Sequence, residues 1–337
     1  MLEWPRGLEH FVALWFCVQP IGCRVIQARN EIMSTAQVLS ELQTQYASFP
    51  EVRFFEGKGG LPFVRVSNRF CDAEISLLGG QILSFNRKDQ PQPVLFCSDA
   101  AYFELGKGIK GGAPVCWPWF GDHPDGFGAH GFARSNLWSV DSIERDDCEV
   151  IELVLSLPAE ALTQYPEWQG IRLSTKIRVG KWLTIALITE NGSDKAVSLS
   201  QALHTYFQVS DCRTISIEGL ENNTYLDKPS NFQRQAAAGK AITVNAEVDR
   251  IYEDVQSPIT LLDPAWNRSI TLTSEGSASA VVWNPWVEKS KAMNDFGDNE
   301  YTQMVCIETT NAASDARVIE SGQTHTMQVK IHPKAVD

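Results

Sequence analysis

A histidine and a glutamate, more than a hundred residues apart, each sit in a strand-like run whose alternation decides what surrounds them. His204 falls within residues 197 to 209, where Val197, Leu199, Leu203, Phe207 and Val209 share one face. Period-two counting puts His204 on the other face, with Ser198, Ser200, Ala202, Tyr206 and Gln208. An imidazole on the polar face of a sheet can line a groove; the alternative is a surface or hydrogen-bonded histidine. Glu308 ends the run Met304-Val305-Cys306-Ile307, and the same counting sets it beside Met304 and Cys306. Burial among these apolar neighbours would raise its pKa and suit it to proton transfer near neutral pH. If the strand simply ends there, the carboxylate is solvated.

A loop supplies the third feature. Gly111-Gly112-Ala113-Pro114-Val115-Cys116-Trp117-Pro118-Trp119-Phe120-Gly121 and the nearby His130-Gly131-Phe132-Ala133-Arg134 are too rich in glycine and proline for a helix or a central strand. The segment is read as a rigid, shaped loop that holds a ligand, or else as a plug of Trp117, Trp119 and Phe120 at one end of a β core. Arg134 could grip phosphate oxygens with two parallel hydrogen bonds, whereas Lys110 offers a point charge. A structural salt bridge is the alternative for Arg134. Two other patterns carry less. Gly106-Lys107-Gly108-Ile109-Lys110-Gly111 matches G-x-G-x-x-G, but Pro114 and Pro118 prevent the helix that a dinucleotide site needs. Asp122, His123 and Asp125 fit no strong metal-site spacing and read as a solvated turn.

Five blocks in order resemble the hexose-6-phosphate mutarotases, also called glucose-6-phosphate 1-epimerases, a branch of the aldose 1-epimerase superfamily. They are the glycine-rich loop with its His-Gly-Phe-Ala-Arg, then Leu203-His204-Thr205-Tyr206-Phe207, Val248-Asp249-Arg250-Ile251-Tyr252, Val282-Trp283-Asn284-Pro285-Trp286 and Met304-Val305-Cys306-Ile307-Glu308. The resemblance runs from about Phe54 to Ile331. It implies an all-β fold, a galactose-mutarotase-like supersandwich of antiparallel sheets with few short helices. The implied reaction interconverts the α and β anomers of aldohexose 6-phosphates. A base takes the proton of the C1 hydroxyl, an acid protonates the ring oxygen O5, and the opened chain rotates about C1–C2 and recloses. By resemblance Glu308 is the base and His204 the acid on opening, Asp249 holds sugar hydroxyls, and Lys110, His130 and Arg134 bind substrate. For Asp249 a strand-edge aspartate in an acidic protein is the alternative. The family usually has Arg where this chain has Lys110, a departure that would weaken the phosphate site. No cofactor or metal ion is required. Two other readings stay open: an aldose 1-epimerase for unphosphorylated sugars, and a non-catalytic carbohydrate-binding or regulatory protein.

The elements that must position these residues read as strands. From Leu61 onward the apolar period is two: Ile171, Leu173, Thr175, Ile177 and Val179 alternate with charged and polar residues, as do His325, Met327, Val329 and Ile331. Trp182 to Ile188 is apolar on both faces, as in a strand between two layers. Helix is expected only over roughly 35 to 46, with Val38, Leu39, Leu42 and Tyr46 on one face, and for one turn near Ala159 to Gln164. Many short strands with scarce helix mean stacked antiparallel sheets. Residues 51–337 are read as one domain, 33–50 as a helical lead-in, and 1–32 as an extension outside the resemblance, with Met33 as an alternative start.

The 337 residues carry 29 Lys and Arg against 41 Asp and Glu, a net charge of −12. That balance argues against nucleic acid or anionic membrane as partner, so an anionic substrate needs a local cationic pocket. The expected partner is a small-molecule sugar phosphate, and the expected working form a monomer. Eight cysteines without a CxxC pair read as reduced, buried small hydrophobes of a cytoplasmic protein.

Overall fold

The computed structural model describes residues 34–336 except Ser257; the reading of residues 1–32 lies outside them. Two eight-stranded antiparallel sheets form the body. The outer sheet runs, in spatial order, Ser216–Glu218, Ile259–Asp263, Arg268–Glu275, Thr324–Ala335, Leu183–Asn191, Ile171–Val179, Ile151–Ser156 and Ser139–Arg145. The inner sheet runs Gln233–Ala236, Thr224–Asp227, Val248–Tyr252, Ser279–Asn284, Met304–Asn311, Gln201–Leu203 and Val115–Cys116, and Tyr206–Gln208 pairs with Met304–Asn311 as well. A four-stranded meander, Val52–Glu56, Pro62–Ser67, Cys71–Ser76 and Gln81–Arg87, contributes Val64, Val66, Ala73, Ile75 and Phe85 to the same apolar core.

Alternation divides the inner sheet between two environments. Along Met304–Asn311, Val305 and Ile307 join the main core with Met327, Val329 and Ile331 of the outer sheet. Met304 and Cys306 point the other way, into a smaller cluster with Tyr206, Val281, Trp283 and Phe296. The whole strand is therefore buried on both faces, and Glu308, on the side of Met304 and Cys306, is 1% exposed.

Helix Thr35–Gln45 forms as expected, opened by a capping box in which Ser34 and Gln37 satisfy each other's backbone N–H. Leu39 and Tyr46 are its buried contacts with the domain. Three expectations need correction. The run 197 to 209 is not one strand but Val197–Leu199, Gln201–Leu203 and Tyr206–Gln208. It breaks at Ser200, whose N–H donates to Pro118 O and whose hydroxyl accepts from the Phe120 N–H, tying it to the glycine-rich loop. Trp182 is 40% exposed, with Lys330 over its ring, so the strand after it is not covered on both sides along its length. A second helix, Trp286–Ala292, follows Pro285 where none was expected. Of the described residues, no helix is long and apolar enough to cross a membrane. Cys71, Cys97, Cys116, Cys148, Cys212 and Cys306 are free thiols, Cys148 alone being exposed.

Candidate active site

The register of the inner sheet brings His204 and Glu308 together. Leu203 pairs with Thr309 and Tyr206 with Cys306, so the count is continuous across the kink and sets His204 opposite Glu308. At the kink the Thr205 N–H turns back to Leu203 O, while the His204 and Tyr206 N–H groups donate to Pro114 O and Gly112 O. The glycine-rich loop thus fixes the backbone on both sides of the imidazole.

His204 Nε2 stands 3.4 Å from Glu308 Oε1. His204 Nδ1 and Glu308 Oε2 are buried without a hydrogen-bond partner among the described residues. The imidazole stacks on Tyr206 with ring centroids 4.9 Å apart and meets Trp283 and His130 edge-on at 5.8 and 5.7 Å. Burial pushes the Glu308 carboxyl well above its usual range, with the nearby Asp249 adding to the shift. Burial, reinforced by Arg134 and Lys110, holds the His204 imidazole down at about 3. The same causes act on His130, whose ring is kept neutral by burial and by His204 and Arg134.

These groups form the floor of a cleft of about 530 Å³ that Lys110, His130, Arg134, Asp249 and Trp283 help to line. All six residues singled out from the sequence border this one cleft. Asp249, from Val248–Tyr252, is 8% exposed and not a solvated strand edge. Its Oδ2 lies 3.6 Å from Lys228 Nζ and 3.5 Å from Lys289 Nζ. Neither lysine was singled out from the sequence: Lys289 comes from the unexpected helix, and Lys228 follows an unremarkable strand.

A second cavity of about 260 Å³ shares Lys110, Arg134, His204 and Tyr206 with the first and adds Tyr102, Lys107, Gly108 and Asp295. The guanidinium of Arg134 donates to Ala129 O at 2.9 Å and, among the described residues, faces no carboxylate within salt-bridge distance. It lies across Gly108, where an added Cβ would sit 3.0 Å from Arg134 Cδ. No helix directly follows the G-x-G-x-x-G match, and one of its glycines makes room for the arginine. Lys110 Nζ is 3.4 Å from Asp295 Oδ1, a partner the sequence did not suggest. Arg134 has an unpaired charge for an anion; Lys110 has one already offset.

The aromatic block divides its work. Trp117 is fully buried, meets Phe132 and Trp168 edge-on and donates to Thr189 Oγ1, so it belongs to the core. Phe120 lines the cleft. His123 packs edge-on against Trp119 at 4.6 Å and accepts from the Asp125 N–H, and these residues with Asp122 do not converge as metal ligands.

The aldose 1-epimerase family model matches residues 62–332. A protein of Cenchrus ciliaris named "Putative glucose-6-phosphate 1-epimerase" is 38% identical over 250 residues, 71% of this chain and 75% of that protein. One of the same name from Escherichia coli (strain K12) is 32% identical over 269 residues, 80% of this chain and 89% of that protein. Among solved structures, a "putative mutarotase" from Salmonella typhimurium matches with a TM-score of 0.78 at 25% identity, over 87% of this chain and 99% of that one. A galactose mutarotase-like protein from Clostridium acetobutylicum shares the fold at 12% identity, with a TM-score of 0.62 over 85% of this chain and 98% of that one.

Proposed function

Since the chain belongs to the aldose 1-epimerase family, we propose that it interconverts the α and β anomers of an aldohexose 6-phosphate, with Glu308 and His204 as the proton-transfer pair. The observation that carries this reading is the 3.4 Å approach of two buried, under-bonded titratable groups at the floor of a cation-lined cleft. Such a pair holds one proton between its two members over a wide pH range. Burial of both groups keeps that proton on Glu308 at rest, and ring opening proceeds from the form in which it has passed to His204. His204 gives it to O5 while Glu308 takes another from the C1 hydroxyl, which leaves an imidazole and a carboxylic acid, both neutral. Burial favours that uncharged outcome, so the cost of charging the pair is recovered as the ring opens. Closure on the other carbonyl face runs the transfers backward and returns the proton to His204.

Asp249, held between Lys228 and Lys289, accepts hydrogen bonds from sugar hydroxyls. Arg134 receives the phosphoryl group where the two cavities meet, with Lys110 beside it. The Lys110–Asp295 pair favours a looser grip on phosphate and keeps a free aldohexose as a second substrate. Anomer exchange followed by NMR on glucose 6-phosphate and on glucose decides between them. Faster turnover of the phosphate ester, inhibited by inorganic phosphate, is expected. Equal kcat/KM on both sugars would make this an aldose 1-epimerase without phosphate selectivity.

A further inference from the structure

The acid–base pair leaves one neighbouring nucleophile without a task. Cys306 and Glu308 are two residues apart on one strand and so share its cleft-side face, while His204 is opposite Glu308 and diagonal to Cys306. The ligating atoms of these three side chains all lie within 4.8 Å of one another, and among the described residues no other group of three such donors converges in this way. Ligands of a tetrahedral zinc ion stand roughly 3.5 Å apart, so small side-chain rotations close the difference. Glu308, His204 and Cys306 are 1%, 9% and 0% exposed, and Glu308 Oε2 has no hydrogen-bond partner among the described residues.

We propose that His204, Cys306 and Glu308 form an inhibitory site for one borderline-soft divalent cation, with zinc as the type ion and a fourth position open to the cleft. The sulfur, nitrogen and oxygen donors suit zinc or cobalt, whereas magnesium and calcium prefer oxygen alone. Binding exchanges two protons for the metal: one leaves the Cys306 thiol and one leaves the Glu308–His204 pair, both passing to solvent. Two positive charges depart as two arrive, so the buried floor gains no net charge. The metal occupies both proton carriers together and so stops the transfer that turnover requires. The inhibition rests on the epimerase reading; the binding does not.

Cobalt(II) titrated into the full chain tests the site directly. A complex of one metal per chain is expected, with tetrahedral absorption, a thiolate-to-metal charge-transfer band, and displacement by zinc. Cys148→Ser, which removes the one exposed thiol among the described residues, should leave the band intact. Cys306→Ser should abolish it and weaken zinc binding by at least about tenfold, close to what loss of a supporting group costs a metal site. Zinc, but not magnesium, should slow anomer exchange, with recovery on adding a chelator. A stoichiometric complex lacking the thiolate band, or one unchanged by Cys306→Ser, overturns the proposal. The parent spectrum decides the matter even where the serine variant fails to fold. A bound metal in a protein inactive on every sugar would uphold the site and sink the epimerase reading.

Discussion

Replacing Glu308 by Gln should change how stability depends on pH, and the sign follows from proton counting. In the folded protein His204 stays neutral down to about pH 3, and burial raises the Glu308 pKa well above 4.5, so the pair carries one proton across that interval. In the unfolded chain, with ordinary values of 4.5 and 6.5, the same two residues carry two protons below pH 4.5, one between 4.5 and 6.5, and none above. Stability rises with pH where the unfolded state holds more protons and falls where it holds fewer. The pair's contribution therefore rises up to pH 4.5, is level to 6.5 and then declines, by about 1.4 kcal/mol per pH unit for a single proton. In Glu308→Gln the folded state has no such proton, and the decline above pH 6.5 disappears. Over the part of this range in which Glu308 keeps its proton, the variant should gain on the parent by up to about 1.4 kcal/mol per pH unit. Urea unfolding midpoints measured at half-unit steps from pH 6.5 to 8.5 give the comparison, with all other titrating groups common to both proteins. Parallel curves would show that Glu308 is ionised in the folded state, and the one-proton account would fail.

Four further substitutions probe the phosphate end and the loop. Arg134→Ala should raise KM for hexose 6-phosphate by roughly 30-fold or more, the worth of a charge-assisted double hydrogen bond, and barely affect free hexose; equal losses on both would mark a structural arginine. Asp295→Asn frees Lys110 from its partner and should lower KM for the phosphate ester several-fold, and Lys110→Arg should preserve or strengthen the preference for it; an unchanged preference in Asp295→Asn would separate Lys110 from phosphate binding. Gly131→Ala places a Cβ 1.8 Å from Trp117 O at a φ of +68°, so a loss of more than about 3 kcal/mol in unfolding free energy is expected, and a near-neutral value would refute the loop's rigidity.

Period-two counting carries far in this chain because the sheets are antiparallel and sandwiched. It placed Glu308 with Met304 and Cys306 and set His204 opposite the Val/Leu/Phe face, and both placements agree with the structure. It could not supply register, which depends on which strands pair. Only the sheet shows that residue 204 faces residue 308. The break at Ser200 was illegible for a similar reason: its bonds run to Pro118 and Phe120, some 80 residues away. Lys228, Lys289 and Asp295 escaped notice because a surface-type charge carries no local signal of its partner, and Lys289 sits in a seven-residue helix that Pro285 obscured. Gly108 shows the opposite error, a glycine in a motif set aside for want of a helix that still shapes the site.

In the proposed reaction one proton-transfer pair opens and closes the sugar ring. Magnetisation-transfer NMR on the anomeric protons of glucose 6-phosphate tests it most directly, with parent protein, His204→Asn, Glu308→Gln and the double variant. These changes keep shape and hydrogen-bonding capacity, so folding and phosphate-ester binding should persist. The account requires rapid exchange with the parent, loss of kcat in each single variant, and little further loss in the double, because both residues serve one step. Near-parental exchange in the double variant would contradict it.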